Sequence, residues 1–111
     1  MTVAVVRYQT KPERADENQA LIEKVFGALE TSEPDGLRYA AFRLADGVSF
    51  VHVASIETDD GTNPLTSTPA FTEFVRDISD RLEQGPFASD ATTVGSYRFF
   101  STGPANERGD Q

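Results

Sequence analysis

Residues 2–10, Thr-Val-Ala-Val-Val-Arg-Tyr-Gln-Thr, are rich in β-branched and aromatic side chains and predict a first strand. Alternation puts Val3, Val5 and Arg7 on one face and Ala4, Val6 and Tyr8 on the other. Lys11-Pro12 ends the strand, because proline cannot donate to a ladder but suits a first helical turn. The apolar period then lengthens. Leu21, Ile22, Val25, Phe26 and Leu29 recur at helical spacing and predict one amphipathic helix over about residues 12–31. Acidic Glu13, Asp16 and Glu17 favour its positive end. The helix starts either at Pro12 or at an Asp16-x-x-Gln19 capping box, and Glu33-Pro34-Asp35-Gly36 stops it.

Two further strands, residues 37–45 and 48–58, flank Asp46-Gly47, a strong hairpin signal because glycine supplies positive φ. Residues 58–68 read as a loop, and Thr68-Pro69 as the N-cap and first residue of a second helix. Phe71, Phe74, Val75, Ile78 and Leu82 give that helix its apolar stripe, with Gly85-Pro86 as its stop. Residues 91–100 predict strand four, and residues 101–111 a frayed tail. The order βαββαβ predicts an α+β, ferredoxin-like domain over residues 1–100. Right-handed crossovers place both helices on one face of a four-stranded antiparallel sheet.

Two helices cover only one sheet face, so the other should alternate cleanly with polar residues. It does not. Strand one has valine on both faces, and strand three has Phe50, Ala54 and Ile56 on one face and Val51 and Val53 on the other. Such a patch predicts a homodimer through the open face. The chain has 111 residues, no cysteine and a net charge of −8. These features argue against a disulfide framework, thiolate metal sites and nucleic-acid partners. There is no membrane-length apolar run and no secretory leader pattern, so a cytoplasmic location is expected. One histidine and scattered carboxylates predict no metal site, and no nucleotide-binding or nucleophile-elbow motif occurs.

Several segments together resemble the antibiotic-biosynthesis monooxygenase group of dimeric α/β-barrel proteins. They are Val5-Val6-Arg7-Tyr8 with Lys11-Pro12, Glu33-Pro34-Asp35-Gly36-Leu37-Arg38-Tyr39, Asp46-Gly47, Phe50-Val51-His52-Val53-Ala54 and Thr68-Pro69-Ala70-Phe71. The likeness spans about residues 2–100. It implies that two sheets pack into a barrel and that a cavity lies between each sheet and its helices. It also implies an activity among cofactor-independent oxygenation, haem degradation and isomerisation, or none. Members often carry a tryptophan near the end of strand three and a histidine before helix two. This chain has no tryptophan, and Thr66-Ser67-Thr68 stands at the histidine's place. Strand one also lacks the asparagine of the haem-degrading branch, so the resemblance does not extend to haem and implies no cofactor.

Arg7, Tyr39, Arg43, His52, Tyr97 and Phe99 share one parity within their predicted strands. His52 is the candidate base for a small aromatic substrate, since imidazole titrates near neutrality. Arg7 or Arg43 would stabilise a phenolate or peroxide, while Tyr39, Phe50, Tyr97 and Phe99 would bind the ring. A deprotonated, electron-rich substrate can reduce oxygen itself. Two other readings stand beside this one: a non-catalytic small-molecule binder, and a structural dimer with Phe50, Tyr97 and Phe99 filling the barrel. In those readings His52 is a hydrogen-bonded core residue, and the arginines pair with carboxylates across the dimer.

Overall fold

The computed structural model describes residues 2–99. Strand β1 runs over Thr2–Thr10, and a 3-10 turn at Pro12–Arg14 leads into helix α1, Ala15–Ser32. Strands β2, Leu37–Arg43, and β3, Ser49–Ile56, follow. A 3-10 turn at Pro64–Ser67 precedes helices α2, Pro69–Val75, and α3, Ile78–Arg81, and strand β4, Leu82–Ala91, closes the sheet. The strands are antiparallel in the order β2-β3-β1-β4, the α+β, ferredoxin-like arrangement.

The hairpin forms where Asp46-Gly47 predicts it. Gly47 has φ 79°, and the Asp46 carboxylate accepts from the Val48 amide at 2.9 Å and the Ser49 amide at 2.8 Å. Cross-strand register then fixes the faces. His52 lies opposite Val6 and Ala41, Phe50 opposite Tyr8 and Arg43, and Ala54 opposite Ala4 and Tyr39. This face meets the helices. Tyr8, Phe50, Ile22, Val25, Leu65, Phe74 and Leu82 form the buried core, with Phe26, Leu29, Tyr39 and Phe71 packed against it. The other face carries Val3, Val5, Arg7, Ala40, Phe42, Val51 and Val53.

Two expectations need correction. Helix two does not run on to Gly85-Pro86. It ends at Val75, Asp77 takes a left-handed conformation with φ 58°, and a single short turn follows. A buried guanidinium substitutes for the missing helical amides: Arg81 donates to the carbonyls of Phe74 at 2.6 Å and Arg76 at 3.3 Å. Strand four is Leu82–Ala91 rather than residues 91–100, and Gly85-Pro86 lies inside it. Gln84 pairs with Gln9 and Phe87 with Arg7, so an extra residue bulges opposite Tyr8. A side chain at Gly85, which has φ +94°, would come within 3.0 Å of Tyr8 Cβ, so only glycine fits this approach. The proline is tolerated because β4 is an edge strand.

Smaller differences occur at helix ends. Helix α1 begins at Ala15 without a side-chain cap, so Asp16 lies in its first turn instead of capping it. Thr68 does open α2, but through its backbone carbonyl, which accepts from the Phe71 amide at 3.0 Å. The predicted tail, residues 101–111, lies outside the described residues, as does Phe100.

Candidate functional site

The register separates residues that strand parity grouped together. His52, Tyr39 and Phe50 lie on the helix-covered face. Arg43 shares that face but sits at its rim, where it donates to Asp16 at 3.1 Å, to Gln19 at 2.7 Å and to the Gly47 carbonyl at 2.9 Å. Its partners are thus within the chain. Arg7 is on the opposite face, with its guanidinium 4.8 Å from the centroid of Phe87. Tyr97 and Phe99 lie beyond β4, in a segment that borders a groove of about 920 Å³ with Val3, Ala40 and Val53 of the open face and with Tyr39 of β2. Neither Arg7 nor that segment shares a face with His52. Shared parity does not group them, because parity in separate strands says nothing until register is known.

What surrounds His52 is a chain of buried polar side chains. Its Nδ1 is 2.6 Å from the Tyr39 hydroxyl and its Nε2 is 2.8 Å from the Tyr8 hydroxyl. Asn18 Nδ2 donates to the Tyr8 oxygen at 2.9 Å, and Arg81 Nε donates to Asn18 Oδ1 at 3.1 Å. Five side chains from β2, β3, β1, α1 and α3 are therefore connected end to end. All but Tyr39 are buried, Asn18 completely and Arg81 with 2% exposure. Tyr39 is half-buried and is the end nearest solvent.

Aromatic rings close around the imidazole. Tyr8, Tyr39 and Phe74 have centroids 5.3, 5.8 and 5.5 Å from the ring of His52. Phe26 stacks on Tyr39 at 4.9 Å, and Phe50 on Tyr8 at 5.5 Å. Removal from water sets the protonation states. Burial pulls His52 down from 6.5 to about 4, so it is neutral at pH 7. Burial pushes the Tyr8 phenol up to about 12, against the hydrogen bond from Asn18 and the charge of Arg81. Burial also raises the Tyr39 phenol, with Tyr8 adding to the effect. Burial lowers the Arg81 guanidinium from its ordinary value.

The arrangement suits hydrogen bonding at the Tyr39 hydroxyl better than proton abstraction by the imidazole, both of whose nitrogens are already engaged. Asn18 and Arg81 escaped the sequence reading, although a signal was present. Asn18 sits at the helical spacing of Ala15, Ile22, Val25 and Leu29, and Arg81 at that of Phe74 and Ile78. A polar residue inside an apolar stripe needs a buried partner. Among the described residues, no group of three His, Cys, Asp or Glu could hold a metal ion, and no helix is long and apolar enough to cross a membrane.

No protein-family model matches the chain, and no curated protein matches it in sequence. Solved structures do share its fold. Rv0793 from Mycobacterium tuberculosis superposes with a TM-score of 0.67 at 18% identity, covering 86% of this chain and 98% of that one. A structure named antibiotic biosynthesis monooxygenase superposes with a TM-score of 0.68 at 18% identity, covering 86% of this chain and all, 100%, of the other. A conserved protein from Methanosarcina mazei Go1 gives 0.65 at 16% identity, covering 81% and 89%. The fold of the single chain is thus the one that the sequence resemblance implies.

Proposed function

We propose that the chain is a homodimer that oxidises a small aromatic, polyketide-like compound at the Tyr39 hydroxyl, using molecular oxygen and no cofactor. The observation that carries this reading is the 2.6 Å contact between Tyr39 and a neutral, aromatic-enclosed His52. A ketone or enol oxygen of the substrate would hydrogen-bond to Tyr39. Charge developing on that oxygen during enolisation is stabilised by such a donor in surroundings poor in water. The ring CH₂ proton leaves to solvent water, the enolate carbon adds to O₂ and is protonated to a hydroperoxide, and cleavage of its O–O bond with loss of water leaves C=O, so that CH₂ plus O₂ becomes C=O plus H₂O. The shared fold, with one neighbour named antibiotic biosynthesis monooxygenase, supports this class of chemistry.

The test is oxygen uptake by the purified protein with a panel of anthrones and related cyclic ketones that carry a ring CH₂. Uptake by the wild type, reduced about 100-fold by Tyr39→Phe, is expected from the loss of one such donor. Equal rates in the two proteins would refute the site. A second reading, a small-molecule binder without turnover, is favoured by the engagement of both His52 nitrogens. Saturable binding of a panel member, with no oxygen uptake by any, would establish it.

The dimer is supported by the apolar open face of Val3, Val5, Ala40, Val51 and Val53, and by the segment after β4, where Val94 is 98% and Tyr97 81% exposed. Light scattering at micromolar concentration should give twice the chain mass of 12.1 kDa, and Val53→Glu should reduce it to one. A wild-type monomer would contradict the assembly.

A further inference from the structure

With His52 neutral, the direction of the buried hydrogen-bond chain follows from which atoms can donate. A guanidinium can only donate, so the Asn18 atom 3.1 Å from Arg81 Nε is the amide oxygen. The amide nitrogen therefore faces Tyr8, and it too can only donate. The Tyr8 oxygen accepts there, which leaves its own hydrogen to be placed. His52 Nε2, at 2.8 Å, takes it and so must be a bare lone pair. A neutral imidazole carries one ring hydrogen, which then sits on Nδ1 and is donated to Tyr39 at 2.6 Å. The opposite direction would give Tyr8 two donors and strand its hydrogen in a residue only 4% exposed.

We infer that Arg81 and Asn18 are positioning residues that lock His52 in the Nδ1–H tautomer, so that Tyr39 meets its ligand as a hydrogen-bond donor. The proposal rests on the reading of Tyr39 as the substrate contact, and it narrows the substrate class. The group bound at Tyr39 is an acceptor oxygen, a carbonyl or an enolate, and not a phenol awaiting deprotonation by His52. Arg81 touches no substrate. It acts through three intervening side chains, by fixing which atom of Asn18 faces Tyr8.

The sole histidine makes the tautomer directly readable. In uniformly ¹⁵N-labelled protein without ligand at neutral pH, long-range ¹H–¹⁵N spectra should show a pyrrole-like Nδ1 and a pyridine-like Nε2. Asn18→Asp should exchange these assignments. A carboxylate accepts from both neighbours, so the Tyr8 hydrogen turns toward residue 18 and Nε2 must donate. A wild-type Nε2–H tautomer overturns the inference whether or not the variant folds, as does an unchanged tautomer in folded Asn18→Asp. Because the readout needs no substrate, missing oxygen uptake would sink the proposed function and leave the tautomer assignment standing.

Discussion

Replacing Arg81 by methionine should destabilise the folded chain by about 3 kcal/mol. The substitution keeps much of the apolar stem and removes the guanidinium, which donates to three acceptors: Asn18 Oδ1, the Phe74 carbonyl and the Arg76 carbonyl. Each buried acceptor left without a donor costs on the order of 1–3 kcal/mol. Against that sum stands the relief of no longer burying a cation, because desolvating a charge is itself unfavourable. The remaining term is local. The break between α2 and α3 leaves the last carbonyls of α2 without helical amides, and Arg81 is the side chain that satisfies them. Arg81→Lys keeps the charge but loses the fork that reaches three acceptors, and should fall between the two. Urea midpoints at one fixed protein concentration measure all three proteins. Equal midpoints for wild type and Arg81→Met would mean that the guanidinium is not what closes the helix break.

The second large effect is loss of stability in mild acid. His52 ionises near 6.5 in an unfolded chain, but burial holds its folded value at about 4. Between these values the unfolded chain binds the proton and the folded chain does not, so protons favour unfolding as pH falls. Stability is full above pH 6.5, declines through the window and levels off below about pH 4, with a total loss of about 3 kcal/mol. His52 is 6% exposed, so solvent screens little of this. His52→Gln cannot titrate, and its unfolding free energy should stay nearly flat across the same window. Parallel profiles for wild type and variant would assign the acid sensitivity to other groups.

The parts of the fold legible in the sequence are those with a strong local pattern of apolar, β-branched or turn residues. Strand β1, the Leu21-to-Leu29 stripe of α1 and the Asp46-Gly47 hairpin each carry a local signal that packing reinforces. Strand β4 carries none. Apart from Leu82 it is exposed along its length in the single chain, so no apolar alternation marks it. Its Gly85-Pro86 step reads as a terminator yet sits in an edge-strand bulge. The apolar residues that mimic a later strand, Val94, Tyr97 and Phe99, lie past the sheet.

The site was legible only in part, for a related reason. His52 and Tyr39 stand out as residue types, and they do meet. Arg7 falls on the other face, because a one-residue change of register exchanges the faces and only pairing decides it. Tyr8, Asn18 and Arg81 join His52 through contacts between residues far apart in the chain, from 10 residues for Tyr8–Asn18 to 63 for Asn18–Arg81. No local spacing encodes such a chain. Only the polar interruption of two apolar stripes points to it.

At the centre of the buried polar chain is a histidine kept neutral by burial and held at both nitrogens. A pH titration of its ring resonances tests that most directly, since the chain has a single histidine. The folded-state signals should remain those of a neutral imidazole down to about pH 4. A midpoint near 6.5, the value of a histidine in water, would show that the imidazole is not held neutral by burial.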